Sequence, residues 1–361
     1  MNKLFLDLHV VQSVPPSCLN RDDTGSPKTA VYGGVRRARV SSQSWKRAMR
    51  LMFKEYFDPG ELGMRTRYVF DMVANEIIKA SPDLSREDAL NLAKKTLAEV
   101  GIKAAAKSPD KSEALFFMSA QQAKNVAAVA LEKADKAQVK KALQENNDVA
   151  LALFGRMVAS DPELNCDASA QVAHAISTHR VENEYDYFTA VDDFGADIQD
   201  HAGSGHLGTI EYNSATLYRY ATLAVHDLYK QLANDPKALE KAVREFARAF
   251  VCSIPTGKQN TFAAHTIPHA VLVSLRADRP LNLVGAFEKP IVSNEGFAEK
   301  SVCGLAKYTL EAYASFCREP EISYTVGEGL GELGICLPLE NMLEELAREI
   351  AKRANAEGTA E

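Results

Sequence analysis

Between Gly33 and Arg50 the chain reads GGVRRARVSSQSWKRAMR, six cations without a carboxylate. The acid-free window runs from Thr24 to Lys54 and holds eight cations: Lys28, Arg36, Arg37, Arg39, Lys46, Arg47, Arg50 and Lys54. The whole chain has a formal charge of −6, so the remainder carries 34 basic against 48 acidic residues, a net −14. A local basic track in an acidic protein suits an anionic partner. The plain alternative is a solvated stretch whose counter-charges lie elsewhere in the fold.

The arrangement favours the anion. Trp45, Ala48, Met49, Met52, Phe53 and Tyr56 recur at helical spacing and make one apolar stripe. Ser41 or Ser42 can cap the start of this helix, and Pro59-Gly60 stop it. Lys46, Arg50 and Lys54 then repeat every four residues beside the stripe, a ladder able to follow a sugar–phosphate backbone. Lys46 and Arg47 fall in the first two turns, where each positive charge opposes the helix dipole by roughly a few tenths of a kcal/mol. A phosphate accepting from the N–H groups of Ser42, Gln43 and Ser44 would neutralise both. On the extended piece before the helix, Arg37 and Arg39 alternate with Ala38 and share a face. No base-reading pattern accompanies these cations, and phosphate contacts position a strand without specifying it.

Catalytic chemistry finds less support. Asp22 and Asp23, adjacent in NRDDTG, could hold Mg²⁺ beside an RNA track and support strand cleavage. The same string is dense in turn formers, and a turn with Arg21 as counter-charge is the preferred reading. TGKQNT lacks the upstream glycine of a phosphate-cradling loop, and GEGLGELG reads as a loop. His265 and His269 are separated by Pro268, and His201 and His206 have no cysteine at zinc spacing. The expectation is therefore no catalytic residue, no metal and no cofactor.

The elements that must position the basic track are those of an α+β chain. With 361 residues, 46% of them hydrophobic, the chain has ample core for about two domains. Six scattered cysteines without a CxxC pair read as reduced thiols of a cytoplasmic protein. MNKLFLDLHVV has no apolar h-region, and no apolar run is long enough to cross a membrane. Residues 3–11 alternate as a half-buried strand ended by Pro15-Pro16. Residues 61–165 read as an inserted helical subdomain, with breaks at SPDLS, KSPDKS and ENND. Val172–Thr178 alternates as a strand, and Asp192–Thr209 is a Gly- and Asp-rich projecting arm. Strands at Tyr218–Val225, Ala270–Leu275 and Ile322–Val326 interleave with helices at Lys237–Cys252, Lys300–Phe316 and Pro338–Ala354. A βαββαβ core with insertions in its loops is the natural candidate.

PPSCLNRDDTGSPKTAVYGGVRRARVSSQSWKRAMR resembles the start of the CasC-type backbone subunit of the type I-E CRISPR Cascade complex. The resemblance returns at AHAISTHRVENEYDYFTAVDD, GSGHLGTIEYNSATLYRYA and IPTGKQNTFAAH, in the same order. It implies an RRM-like (ferredoxin-like) palm over 1–60, 166–191 and 210–361, helical fingers over 61–165, and a projecting β-hairpin thumb over 192–209. It also implies a non-catalytic, crRNA-binding subunit of an antiviral ribonucleoprotein. Copies would line up along one CRISPR RNA with other Cascade subunits, displacing a base at regular intervals and exposing the rest to target DNA.

Carried over by position, the RNA-binding set comprises Arg21, Lys28, Ser41, Gln43, Lys46, Arg50, Met157, Lys258 and Gln259. Met157 would otherwise be helix core, and Lys258 and Gln259 a solvent-exposed turn. Tyr187, Phe188, Thr189, His206 and Leu207 would form the base-kinking thumb, although Tyr187 and Phe188 equally suit a core role at its root. The thumb is longer than the family's around Gly195–His201, and Tyr187 stands where the family has Trp. Lys133, Lys136, Lys140 and Lys141 fall where the family touches target DNA; Glu132 and Asp135 interleave with them as on a solvated face.

Overall fold

The computed structural model describes residues 1–133, 135–190 and 206–358. Strand β1 (Phe5–Ser17) is buried on both faces. Leu6, Leu8 and Val10 enter one hydrophobic cluster, and Val11 enters another. Asp7 and His9, on the Val11 side, are almost fully buried. The half-buried reading from sequence fails here because the helix Ala298–Ser315 and the 3-10 turn Leu283–Phe287 cover that second face. The strand also passes through Pro15 and Pro16, with a register shift between Val14 and Ser17.

β1 lies at the centre of a large, mostly antiparallel sheet. One neighbour is the long strand His206–Ala224, with Leu8 opposite Ala221; the other is Ala270–Arg276, with Leu8 opposite Val273. Ala270–Arg276 pairs with Ile322–Gly327, which takes Ile335–Cys336 in parallel. Beyond His206–Ala224 come Ala170–Val172 and Ala175–Ser177, two short strands where the sequence alternation suggests one. The hairpin of β2 (Thr29–Tyr32) and β3 (Val35–Val40) closes this side, with β3 paired to Ala175–Ser177. Its turn, Gly33-Gly34, has φ of +58° and +75°, and a Cβ on Gly33 would lie 1.7 Å from the Glu288 carbonyl oxygen.

Helix α1 (Ser42–Phe53) packs on one sheet face with the helices Pro236–Cys252 and Leu339–Gly358. The helices Val69–Ala80, Arg86–Glu99, Ala120–Leu131 and Lys136–Gln144 build a second cluster of their own, whereas Val149–Leu153 join the first. KSPDKS is not only a break, since Ser108–Ser112 forms a small strand.

The two clusters meet at the strand Phe116–Met118, paired with Met64–Thr66. Alternation along a strand sends Phe117 into the sheet-side core and Phe116 and Met118 into the helical one. Arg156 locks this seam by donating to the carbonyls of Phe117, Leu143 and Leu164 and to the Gln122 side chain.

Arg37 and Arg39 alternate along β3 as expected but differ in burial. Arg37 is fully buried and donates to the carbonyls of Tyr32, Ser177, Phe287 and Glu288, tying the hairpin to two other segments. Arg39 is only partly buried. Replacing Arg37 by Met should cost about 3 kcal/mol in urea unfolding, because several buried carbonyls lose their donors. Arg36→Ala, at the exposed neighbour, should stay within about 0.5 kcal/mol of the parent.

Candidate nucleic-acid interface

The geometry of the basic segment is set by how α1 begins and what it buries. Ser41 is the N-cap, its Oγ accepting from the Ser44 N–H, and the side chain is thereby buried and committed to the helix. The Ser44 N–H is taken, so of the three expected phosphate donors those of Ser42 and Gln43 remain without an acceptor among the described residues. Trp45, Ala48, Met49 and Phe53 face the sheet. Helical steps then turn Lys46 and Arg50 to one flank and Arg47 to the other.

On the first flank α1 and the helical insertion enclose a cleft of 490 Å³, lined by Gln43, Lys46, Arg50, Arg65, Phe154 and Met157 among others. The Lys46 Nζ and Arg50 Cζ lie 5.6 and 5.8 Å from the Phe154 ring centre. Burial, then Arg50, holds the Lys46 ammonium below its ordinary pKa; burial, then Arg65 and Arg47, lowers that of Arg50. No carboxylate pairs with these cations among the described residues; Asp167, on the cleft wall, is beyond ion-pair reach. Arg156 also lines the cleft but is committed to protein acceptors, so Lys46, Arg50 and Arg65 are the three cations that converge there without a carboxylate partner among the described residues. Met157 follows the helix Val149–Phe154 instead of lying within it, and it is 86% exposed at the cleft, so the core alternative does not apply.

The second flank opens on a cleft of 550 Å³ between α1 and the 19–25 and 256–257 loops. Arg21 is exposed there, and Arg47 donates to the Thr256 Oγ1 at 3.1 Å. Asp22 forms the expected turn: its Oδ1 accepts from the Thr24 N–H, the Thr24 hydroxyl and the Ser26 N–H, and these donors hold its pKa down. Asp23 is exposed beside it. Among the described residues no three His, Cys, Asp or Glu side chains gather as ligands for a metal.

Lys28 lies near Arg39, whose Nη1 is 3.1 Å from the His174 Nδ1; burial and these two cations lower the His174 pKa. Lys258 adopts a left-handed conformation at φ 47°, with its side chain half exposed beside Cys18. Gln259 instead braces its own loop, donating to the Pro255 carbonyl and accepting from the Ala264 N–H.

The strand Glu184–Ala190 pairs with His206–Ala224, placing Thr189 opposite Leu207 and Ala190 opposite His206. Tyr187 is 65% exposed, so it is no core residue, and Thr189 is exposed on the same face. Phe188 points the other way, with its ring against Gly208. Of the thumb assigned to 192–209, positions 192–205 lie outside the described residues. On the insertion, Lys133 and Lys136 are exposed, and Lys141 lies 3.8 Å from Glu145. Lys140 is held between Asp161 and Glu163 and is not a free cation.

Arg65 is an exposed cleft cation that the sequence reading missed. It stands outside the acid-free window, in a segment without cationic periodicity, and only the fold brings it to Lys46 and Arg50.

The model of the CT1975-like protein family matches residues 6–347. The chain belongs to that family. It is also similar to a chain of a solved CRISPR RNA-guided surveillance complex in a pre-nicking state, at 30% identity and a TM-score of 0.83, covering 95% of this chain and 100% of that one. A second CRISPR RNA-guided surveillance complex contains a chain 28% identical, with a TM-score of 0.61 and coverage of 94% and 99%. No curated protein matches significantly. The family and both structures agree with the resemblance carried by the N-terminal string. The large mixed sheet with its helices is the architecture those chains share with this one.

Because the cleft cations repel one another, Lys46→Met should leave the free protein at least as stable as the parent at neutral pH. Inorganic phosphate should raise the melting temperature of the parent more than that of a Lys46→Met/Arg50→Met double variant. Thermal melts across a phosphate series check both.

Proposed function

We propose that the chain is a non-catalytic, CRISPR RNA-binding backbone subunit of a type I-E Cascade surveillance complex, repeated along one guide whose spacer it presents to target DNA. The observation that carries this reading is the flank of α1, where Lys46 and Arg50 line an open cleft and lack counter-ions. Condensed cations of this kind bind a phosphodiester chain by releasing its counter-ions. The similarity to surveillance-complex chains supplies the guide RNA as the natural phosphodiester.

The sheet supports an RRM-like palm. β1 is flanked by Ala270–Arg276 and His206–Ala224, and the latter by Ala170–Val172 and Ala175–Ser177, with α1 and Pro236–Cys252 as the two crossover helices. This is the strand order of a βαββαβ unit. Its second face is closed, since His9, Tyr218 and Tyr220 lie beneath the 283–312 segment. Bases cannot stack on those rings as they do on an open RRM sheet. The α1 flank offers the strand a route off that face, and the exposed Tyr187 and Thr189 at the arm's root supply contacts for a displaced base.

The engagement of Asp22 in its turn favours a structural over a metal-binding role. Incubating the assembly with complementary RNA and Mg²⁺ should leave the RNA intact; cleavage lost on Asp22→Asn or Asp23→Asn would establish a nuclease instead.

The protein should co-purify with repeat-derived RNA, and native mass spectrometry with guide-length RNA should show several copies per strand. Lys46→Glu/Arg50→Glu should abolish that assembly with the fold intact by circular dichroism; unchanged stoichiometry would overturn the proposal. Tyr187→Ala should retain assembly but alter the spacing of nuclease-sensitive positions on the bound RNA.

A further inference from the structure

We infer that Arg65, carried by the helical insertion, is the third cation of the α1 cleft, and that a phosphodiester lodged there ties the insertion to the sheet-borne part of the protein. The inference rests on the proposed nucleic-acid reading and adds to it a binding residue and a mechanical consequence.

Lys46 and Arg50 approach the cleft from α1, while Arg65 approaches from the facing strand Met64–Thr66. Arg65 is exposed and, among the described residues, pairs with no carboxylate. Its charge is close enough to Arg50 to be the largest charge effect on that guanidinium. Two like charges from separate subdomains thus line one cleft and repel each other. An anion bridging them would convert that repulsion into attraction on both sides. A guanidinium presents a planar fork of donors suited to two phosphate oxygens, a geometry that an ammonium at this position would not reproduce.

The backbone that holds Arg65 explains the mechanical consequence. Arg65 lies opposite Phe117 in the small sheet, and Phe117 is the residue of that sheet that enters the sheet-side core. Phe116 and Met118 belong to the insertion's own core. A ligand held by Arg65, Lys46 and Arg50 therefore spans the same seam that Phe117 and Arg156 bridge from within. Two exposed apolar side chains also line the cleft, Leu115 at 52% and Met157 at 86%. They suit the sugar and base beside a phosphate better than they suit a free inorganic anion.

The test uses the full-length protein and guide-length single-stranded RNA across a salt series, with four proteins: parent, Arg65→Gln, Arg65→Lys and Lys46→Gln/Arg50→Gln. Arg65→Gln should melt like the parent without RNA. Its slope of log affinity against log salt should be shallower by about 0.7, the value for one phosphate contact on a single strand. Hydrogen exchange should show RNA-induced protection of 64–66 and 115–118 in the parent, absent in Arg65→Gln. Arg65→Lys should restore the slope but not the full protection.

If Arg65→Gln keeps the parental slope and protection while Lys46→Gln/Arg50→Gln loses slope, the strand follows α1 without Arg65, and this inference alone fails. If both variants keep the parental slope, the strand runs elsewhere, and the functional reading falls with it.

Discussion

The seat of α1 on the sheet is held by a stack of Trp45 on Arg219. The guanidinium carbon lies 3.8 Å from the indole ring, and both side chains are 1% exposed. Arg219 projects from the long central strand and donates to Gln12 on β1 and to the carbonyls of Phe250 and Val251 at the end of the neighbouring helix. Strand, helix and α1 are thereby fixed to one another. Burial of Trp45, Met49 and Phe53 contributes about 1.5–3 kcal/mol each. Cations in a first turn cost only about a few tenths each. Packing decides the roll of the helix, and Lys46, Arg47 and Arg50 are carried to the positions that this roll dictates.

The arginines divide into two physical classes. Arg37, Arg156 and Arg219 are almost wholly buried and spend their forks largely on backbone carbonyls of other segments. A guanidinium suits this work because its charge is weakly hydrated and its five donors can satisfy several loop carbonyls at once. Arg50 and Arg65 belong to the other class, with charge directed into an open cleft. Counting charge along the chain cannot separate the two, so the basic window overstates the number of cations open to a ligand. Lys140, held by two carboxylates, repeats the point on the insertion.

Closure of the second sheet face complements this division. Burial raises the Asp7 pKa to about 6 and lowers that of His9 to about 3, and the hydroxyls of Tyr220 and Tyr218 bond to them. These groups satisfy one another beneath the helix Ala298–Ser315 instead of meeting solvent. With the sheet's polar and aromatic groups sealed, an anion meets cations outside that face, as on the flanks of the helix that packs on the opposite face.

Much was written in the sequence itself. The apolar stripe from Trp45 to Phe53 determined both that α1 forms and which face it buries, because helical period alone assigns neighbours within a helix. The turn at Asp22 and the helix Pro236–Cys252 were legible for the same local reason. Residues whose roles depend on partners far along the chain were not legible. Arg37 alternates like a surface cation yet meets carbonyls about 140 and 250 residues away. β1 reads as half buried because its second cover lies beyond residue 280. Arg65 reaches the cleft only because the insertion folds back against α1. Period and capping act over a few residues, whereas burial and charge pairing depend on which distant segments the tertiary fold brings into contact.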